Sequence, residues 1–333
     1  MSPDVEAYAA GIRAGQRPVL SRALTLVESV RPADRAATRR LLELLPATGV
    51  AHRIGISGVP GGGKSTLIDT LGRHLIADGH RVAVLAVDPS SQRTQGSILG
   101  DRTRMAGLGA HPGAFIRPTP SSGALGGVAE STHDVLTVVE AAGYDVILVE
   151  TVGVGQSETA VADLVDTFLL VTVTGTGDQL QAIKMGVLEW ADVVAVTKAD
   201  GANVAAARST ARELGTALRH AHRGTGGEPP PPVLTCSATE PTGIAELWAA
   251  LREHHERDRS QGRLEERRRR RRVARLRAGV RAALLHPLAG DPVVAAVEDE
   301  VRRGTRSPDE GTDLIVDAVR RRIAGELTEG ATR

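Results

Sequence analysis

Gly58-Val59-Pro60-Gly61-Gly62-Gly63-Lys64-Ser65-Thr66 is the stretch on which the reading of this chain turns. It follows the apolar run Ile54-Gly55-Ile56-Ser57 and precedes Leu67-Ile68-Asp69-Thr70-Leu71, an order that predicts strand, glycine loop, helix. Gly58, Gly63, Lys64 and Ser65 fit the phosphate-loop spacing G-x-x-x-x-G-K-[ST]. Glycines let backbone N–H groups curl around phosphate oxygens, and the helix N-terminus adds positive partial charge. Lys64 is therefore expected to reach the β- and γ-phosphates of a nucleotide, and Ser65 to hold Mg²⁺.

Working outward, bulk properties bound the rest. The chain has 333 residues and 41% hydrophobic content, enough for one large α/β domain with helical additions. Its core must be aliphatic, because Trp, Tyr and Phe number two each. That scarcity argues against base-stacking platforms, and a net charge of +1 gives no global pull toward nucleic acid. One cysteine, Cys236, excludes an intrachain disulfide framework and a cysteine-rich zinc site, and it reads as small, buried and inert. No apolar run approaches the roughly 18 residues of a membrane span. The N-terminus lacks the basic-then-apolar pattern of a signal peptide, so the cytoplasm is the default compartment.

Residues 5–45 read as helices, broken at Pro32-Ala33-Asp34. After the glycine loop and its helix, Gly79-His80 makes a C-cap turn. Arg81–Val87 is a continuous apolar strand of the kind buried on both faces of a parallel sheet. It ends at Asp88, on the ligand edge of such a sheet. Asp88 reads as facing Mg²⁺ or its waters, and an Asp opening a turn before Pro89 is the plainer alternative. Phe115–Pro118 is a short strand, and a helix follows through Val128–Ala142.

Tyr144–Glu150 is an apolar strand ending in a carboxylate, the Walker-B form. Glu150 and Gly153 occupy the place of the D-x-x-G loop of GTPases. Glu150 could bind a metal-bound water, and the Gly153 N–H could meet the γ-phosphate. Val154 stands where Ras-like proteins carry a water-orienting Gln, which predicts slow intrinsic hydrolysis.

Two further strands, Thr167–Val173 and Ala191–Val196, lead to Thr197-Lys198-Ala199-Asp200. An Asp at a strand end can accept from guanine N1–H and the exocyclic amine, which adenine cannot supply, and a Lys stem can cover the ring. The common form is N-K-x-D, with Thr197 here in place of Asn. Val233–Ala238 reads as a strand carrying the Ser237-Ala238 element that supports guanine O6 through backbone N–H. From Gly243 to about Leu285 the pattern is helical. It contains Arg267–Arg272, open to three readings: a nucleic-acid patch, a solvated ion-paired face, or a dimer contact. The near-neutral net charge favours the solvated face. A final helical pair follows Pro287.

Together these residues resemble the MeaB/ArgK family of P-loop GTPases, the chaperones of adenosylcobalamin-dependent methylmalonyl-CoA mutase. The resemblance is nearly end to end and is carried by GIRAGQRPVLSRALTLVES, GVPGGGKST, VDPSS, GSILGDRTRM, FIRPTPSSGALGGVAEST, VETVGVGQSE, GDQLQAIKMGVLEWADVVAVTKADG, TCSA and GTRSP. It implies a mostly parallel SIMIBI-type sheet flanked by helices, with an N-terminal extension (1–48), a GTPase domain (49–256) and a C-terminal dimerisation region (257–333). It implies a GTPase that gates adenosylcobalamin loading and protection of an acyl-CoA mutase, with GTP and GDP as substrate and product, and a homodimer. Asp88, Asp101 and Glu150 become the acidic residues around Mg²⁺, with Ser65 a direct ligand; Lys64 and these carboxylates are the expected catalytic set. Residues 175–186 resemble a mobile third switch that meets the mutase, with Asp178, Gln179 and Lys184 facing the partner. The family usually has Asn at Thr197, an acidic residue at Gln179 and an Arg at Ser122. The alternatives are a nickel-type metallochaperone GTPase, which would want a His/Cys cluster, and an ATPase or kinase serving arginine/ornithine transport, which Thr197–Asp200 argues against.

Overall fold

The computed structural model describes residues 4–29, 31–45, 49–88, 105–120, 127–151, 161–175, 185–222, 229–285 and 291–330. Asp101, Gly153, Val154, Asp178, Gln179 and Lys184 lie outside them, and so does the side chain of Asp88.

Seven strands build one sheet: β1 (His52–Gly58), β2 (Val82–Asp88), β3 (Ala114–Pro120), β4 (Val146–Thr151), β5 (Thr167–Thr172), β6 (Val193–Val196) and β7 (Val233–Thr235). Their order is β3-β2-β4-β1-β5-β6-β7, and every pairing is parallel. All six residues of β4 and all six of β5 are buried, which is why these strands read as unbroken apolar runs rather than alternating ones. The chain builds the β3-β2-β4 side first, then passes β1 to build β5-β6-β7. That reversal puts the end of β1 at the switch point where parallel sheets bind ligands.

Alternate residues of each strand serve opposite faces. Ile54, Ile56, Val84 and Leu148 pack with Leu67, Leu71 and Leu75 of α4 (Lys64–Ala77). Ala83, Leu85, Ile147 and Val149 pack on the other side with α1 (Val5–Arg13), α2 (Arg17–Val27), α3 (Pro32–Leu44) and α6 (Gly127–Ala141). A short α5 (Ala106–Gly109) precedes β3, and α7 (Met185–Leu188) precedes β6. The N-terminal helices are part of the core, since Ile12, Leu24 and Leu41 are fully buried. Two expectations change here. The segment to Pro32 is two helices, because Gly15 turns the chain at φ 68 between them. Pro32 starts α3 at its first position, where its missing N–H costs nothing.

The helix expected from Gly243 to about Leu285 is also two. α9 (Ile244–Ser260) and α10 (Arg263–Leu285) are separated at Gln261-Gly262, with Gly262 at φ 72. The expected Val233–Ala238 strand ends at Thr235, after which Cys236 and Ser237 turn over Gly243; a Cβ on that glycine would lie 2.3 Å from the Thr235 carbonyl oxygen. α8 (Val204–Ala221) packs beside β7.

The chain divides into two compact units, Met1–Arg267 and Arg268–Arg333. In the second, α11 (Pro292–Arg302) and α12 (Pro308–Gly330) pack on one another, with Gly311 close against Val297 and Val301. On α10, Val273, Leu276, Val280 and Leu284 are exposed at helical spacing. The arginine run is not a uniformly solvated face: Arg267 pairs with the buried Asp258 and donates to the Asp166 carbonyl, and Arg268 is itself buried.

Candidate nucleotide site

The loop from β1 into α4 holds its shape for steric reasons. At Gly58 φ is 143, and a Cβ there would sit 1.8 Å from the Val171 carbonyl oxygen, so only glycine fits against β5. Gly63 takes the left-handed conformation at φ 81 and forms the N-cap of α4 without any side-chain cap. The first N–H groups of that helix therefore point into the loop, at the positive end of its dipole. Gly62 N–H closes the turn onto the Val59 carbonyl at 3.0 Å, and Pro60 and Gly61 form its exposed tip.

Lys64 is 9% exposed and bends back across the loop, donating from Nζ to the carbonyls of Gly58 (3.0 Å) and Val59 (3.3 Å). Ser65 faces the neighbouring strand: its Oγ donates to Glu150 Oε1 at 2.9 Å. Glu150 is 6% exposed and reaches the loop because β4 pairs with β1, placing Glu150 beside Ile56. One residue on, the Thr151 hydroxyl donates to Ser57 Oγ at 2.9 Å, a fully buried link between the same two strands. A hydroxyl and a carboxylate side by side at the mouth of a phosphate loop are hard oxygen donors, a set that suits Mg²⁺. Asp88 ends β2, next to β4 and two strands from the loop.

The other end of the site forms beyond β6. Lys198 is left-handed at φ 58, alone among the described non-glycine residues. The loop around it is tied by the Thr197 N–H to the Thr172 carbonyl (2.8 Å) and the Ala199 N–H to the Cys236 carbonyl (3.1 Å). The buried Thr197 hydroxyl donates to the Gly62 carbonyl at 2.6 Å, joining this loop to the phosphate loop. Ser237 Oγ donates to Asp200 Oδ2, and the Glu240 N–H donates to Ser237 Oγ at 3.1 Å. Thr70 of α4 donates to the Ala238 carbonyl at 3.0 Å. Burial pushes the Cys236 thiol up to about 12, so it stays protonated and unreactive beside this loop.

Thus Gly58, Val59, Pro60, Gly61, Gly62, Gly63, Lys64, Ser65 and Thr66 form one contiguous loop-to-helix cradle, with Glu150 beside it. Thr197, Lys198, Asp200, Ser237 and Ala238 form a second cluster, fastened to the first through Gly62 and Thr70. Thr70, Thr151, Thr174 and Asn203 escaped the sequence reading. Thr70, Thr174 and Asn203 are common polar residues outside the quoted motifs, and Thr151 lies within one but carries no role that its spacing alone signals.

The model of the methylmalonyl-CoA mutase-associated GTPase MeaB matches residues 20–292. The chain belongs to this family. It is 54% identical over 304 residues to "Probable GTPase Rv1496" of Mycobacterium tuberculosis, covering 91% of this chain and 90% of that protein. It is 39% identical over 327 residues to the mouse "Methylmalonic aciduria type A homolog, mitochondrial", covering 94% and 79%. The solved structure titled "LAO/AO transport system kinase" superposes with a TM-score of 0.73 at 35% identity, over 95% of this chain and 97% of that one. This family member is a GTP-hydrolysing P-loop enzyme with an all-parallel sheet.

Proposed function

We propose that this chain is a GTP-dependent chaperone of an adenosylcobalamin-dependent acyl-CoA mutase, with methylmalonyl-CoA mutase the first candidate. Binding and hydrolysis of GTP gate loading of the cofactor and protection of the mutase. The observation that carries the reading is the joined two-ended site, in which the Thr197 hydroxyl fastens the base loop to the phosphate loop at Gly62. Membership of the MeaB family supports the mutase as partner.

In this reading Lys64 exchanges the Gly58 and Val59 carbonyls for phosphate oxygens, and the N–H groups of 59–66 cradle those phosphates. Ser65 and Glu150 hold Mg²⁺, with Asp88 and Asp101 completing the acidic edge; the bound ion supplies charge neutralisation for phosphoryl transfer. Gly153 meets the γ-phosphate. Asp200 reads guanine N1 and N2, Lys198 covers the ring, and the Ser237 and Ala238 N–H groups take O6. Asp178, Gln179 and Lys184 contact the mutase. The exposed apolar residues of α10 support a homodimer through 257–333, with 1–48 and 49–256 as helical extension and GTPase domain. The site is cytoplasmic in this reading; among the described residues no helix is long and apolar enough to cross a membrane. Neither nucleic acid nor membrane is a partner.

Calorimetry with GDP and ADP, and GTP turnover with and without purified adenosylcobalamin-dependent mutase, test this. GDP preference and turnover accelerated about tenfold or more by the mutase are expected. Preferential ADP binding overturns the guanine assignment and favours the ATPase or kinase reading. Turnover of about tens per second without a partner overturns the partner-dependent mechanism. A nickel-delivery role finds no support in side-chain clustering, since among the described residues no three His, Cys, Asp or Glu are grouped to hold an ion.

A further inference from the structure

Lys198 and Asp200 sit in a loop whose shape the backbone does not favour by itself. Lys198 is left-handed at φ 58, a region that a side chain with a Cβ rarely enters without outside support. Part of that support comes from a residue beyond the motif. Asn203 closes the short 3₁₀ turn Gly201–Asn203 and makes three converging hydrogen bonds. Its N–H donates to the Asp200 carbonyl at 2.9 Å, and its Nδ2 donates to the Lys198 carbonyl at 2.6 Å. Its Oδ1 accepts from the Thr174 hydroxyl at 2.8 Å. Only one amide orientation fits: the Lys198 carbonyl can only accept, so nitrogen must face it, and oxygen is left for the hydroxyl.

We propose that Asn203, held in orientation by Thr174, is a positioning residue for guanine recognition, fixing the Lys198–Asp200 loop in its binding shape. The inference rests on the guanine reading of that loop. Thr197 cannot do this work, because its hydroxyl is turned to the Gly62 and Thr172 carbonyls. Asn203 thus supplies this loop with a side-chain amide from outside the motif. Thr174 lies just past the end of β5, so the guanine loop is also tied to the strand that leads into residues 175–186.

The test measures dissociation constants of the full chain and its variants for GDP, ADP and inorganic pyrophosphate, the last reporting on the phosphate loop alone. Asn203→Ala is expected to weaken GDP about tenfold, the scale of one well-placed hydrogen bond, and leave pyrophosphate within about twofold. Asn203→Asp keeps the shape and the Thr174 bond but sets a carboxylate oxygen against the Lys198 carbonyl, and should weaken GDP at least as much. Thr174→Val, a milder change should the others fail to fold, should weaken GDP about threefold and add nothing when combined with Asn203→Ala. GDP affinity within twofold of wild type in Asn203→Ala overturns the inference, as does an equal loss of GDP and pyrophosphate. If the wild-type chain binds ADP as tightly as GDP, the guanine reading fails and takes the inference with it. A wild type that prefers GDP, with unmoved variants, sinks the inference alone.

Discussion

At the phosphate end of the site the chain presents backbone; at the base end it presents side chains. The loop from Gly58 to Thr66 is shaped by left-handed glycines and by one close approach, Gly58 against the Val171 carbonyl. In the proposed function its ligand groups are N–H dipoles, Lys64 and the Ser65 hydroxyl. The loop from Thr197 to Asp200 is shaped by hydroxyls and an amide from Thr197 itself, Thr174 just past β5, Asn203 of the 3₁₀ turn and Ser237 after β7. A backbone cradle is local, so its signature is contiguous. A side-chain brace is assembled from distant segments, so its signature is scattered. The two ends should accordingly fail in different ways, and variants at each can separate them.

The largest effect is expected at Lys64. Lys64→Ala should lower kcat/KM for GTP about 1,000-fold and weaken pyrophosphate as well as GDP, because the charge serves only phosphates. Steady-state hydrolysis and titration with each ligand check this. Next is Asp200→Asn, which exchanges an acceptor for an amide facing guanine. GDP should weaken about 100-fold, with xanthosine diphosphate gained and pyrophosphate unmoved, since two charge-assisted hydrogen bonds are lost at the base alone. Competition binding among the three ligands distinguishes that from general damage.

Ser237→Ala removes the hydroxyl that orients Asp200, and should cost GDP about tenfold with no change for pyrophosphate. Thr197→Val removes the hydroxyl that fastens the two loops directly, at Gly62, so GDP and pyrophosphate should weaken together by about threefold. If only GDP responded, the two ends would be mechanically independent.

A separate effect, on stability rather than on binding, concerns Cys236, whose folded pKa is raised to about 12 from 9.0 by burial. A raised folded pKa means stability is complete below about pH 9 and declines as pH rises toward 12, because the unfolded thiol ionises first. Native protein should resist thiol alkylation at pH 8, while denatured protein reacts; Cys236→Ala should flatten the alkaline decline in unfolding free energy.

Legibility followed the same division. The glycine spacing, the apolar strands ending at Asp88 and Glu150, and the order of Gly58–Ser65, Glu150 and Thr197–Asp200 could be read directly, and the parallel sheet follows from them. Helix ends were harder. The turn at Gly15 and the break at Gln261-Gly262 fall inside continuous helical patterns, where a single left-handed glycine outweighs the periodicity around it. The near-neutral net charge makes the arginine run look like a solvated face. Its first member is instead committed to Asp258, a residue nine positions earlier and buried.

The amino-acid order by itself determined which groups can meet phosphate and base: three glycines then lysine and serine, a carboxylate closing an apolar strand, and an aspartate two residues after a lysine. These are local facts, because each motif folds within a few residues. Only the tertiary structure decided that Glu150 lies beside Ser65, that Thr197 reaches Gly62 and that Thr174 reaches Asn203. Those contacts depend on β4 pairing with β1 and β5 lying between β1 and β6, which no local pattern specifies.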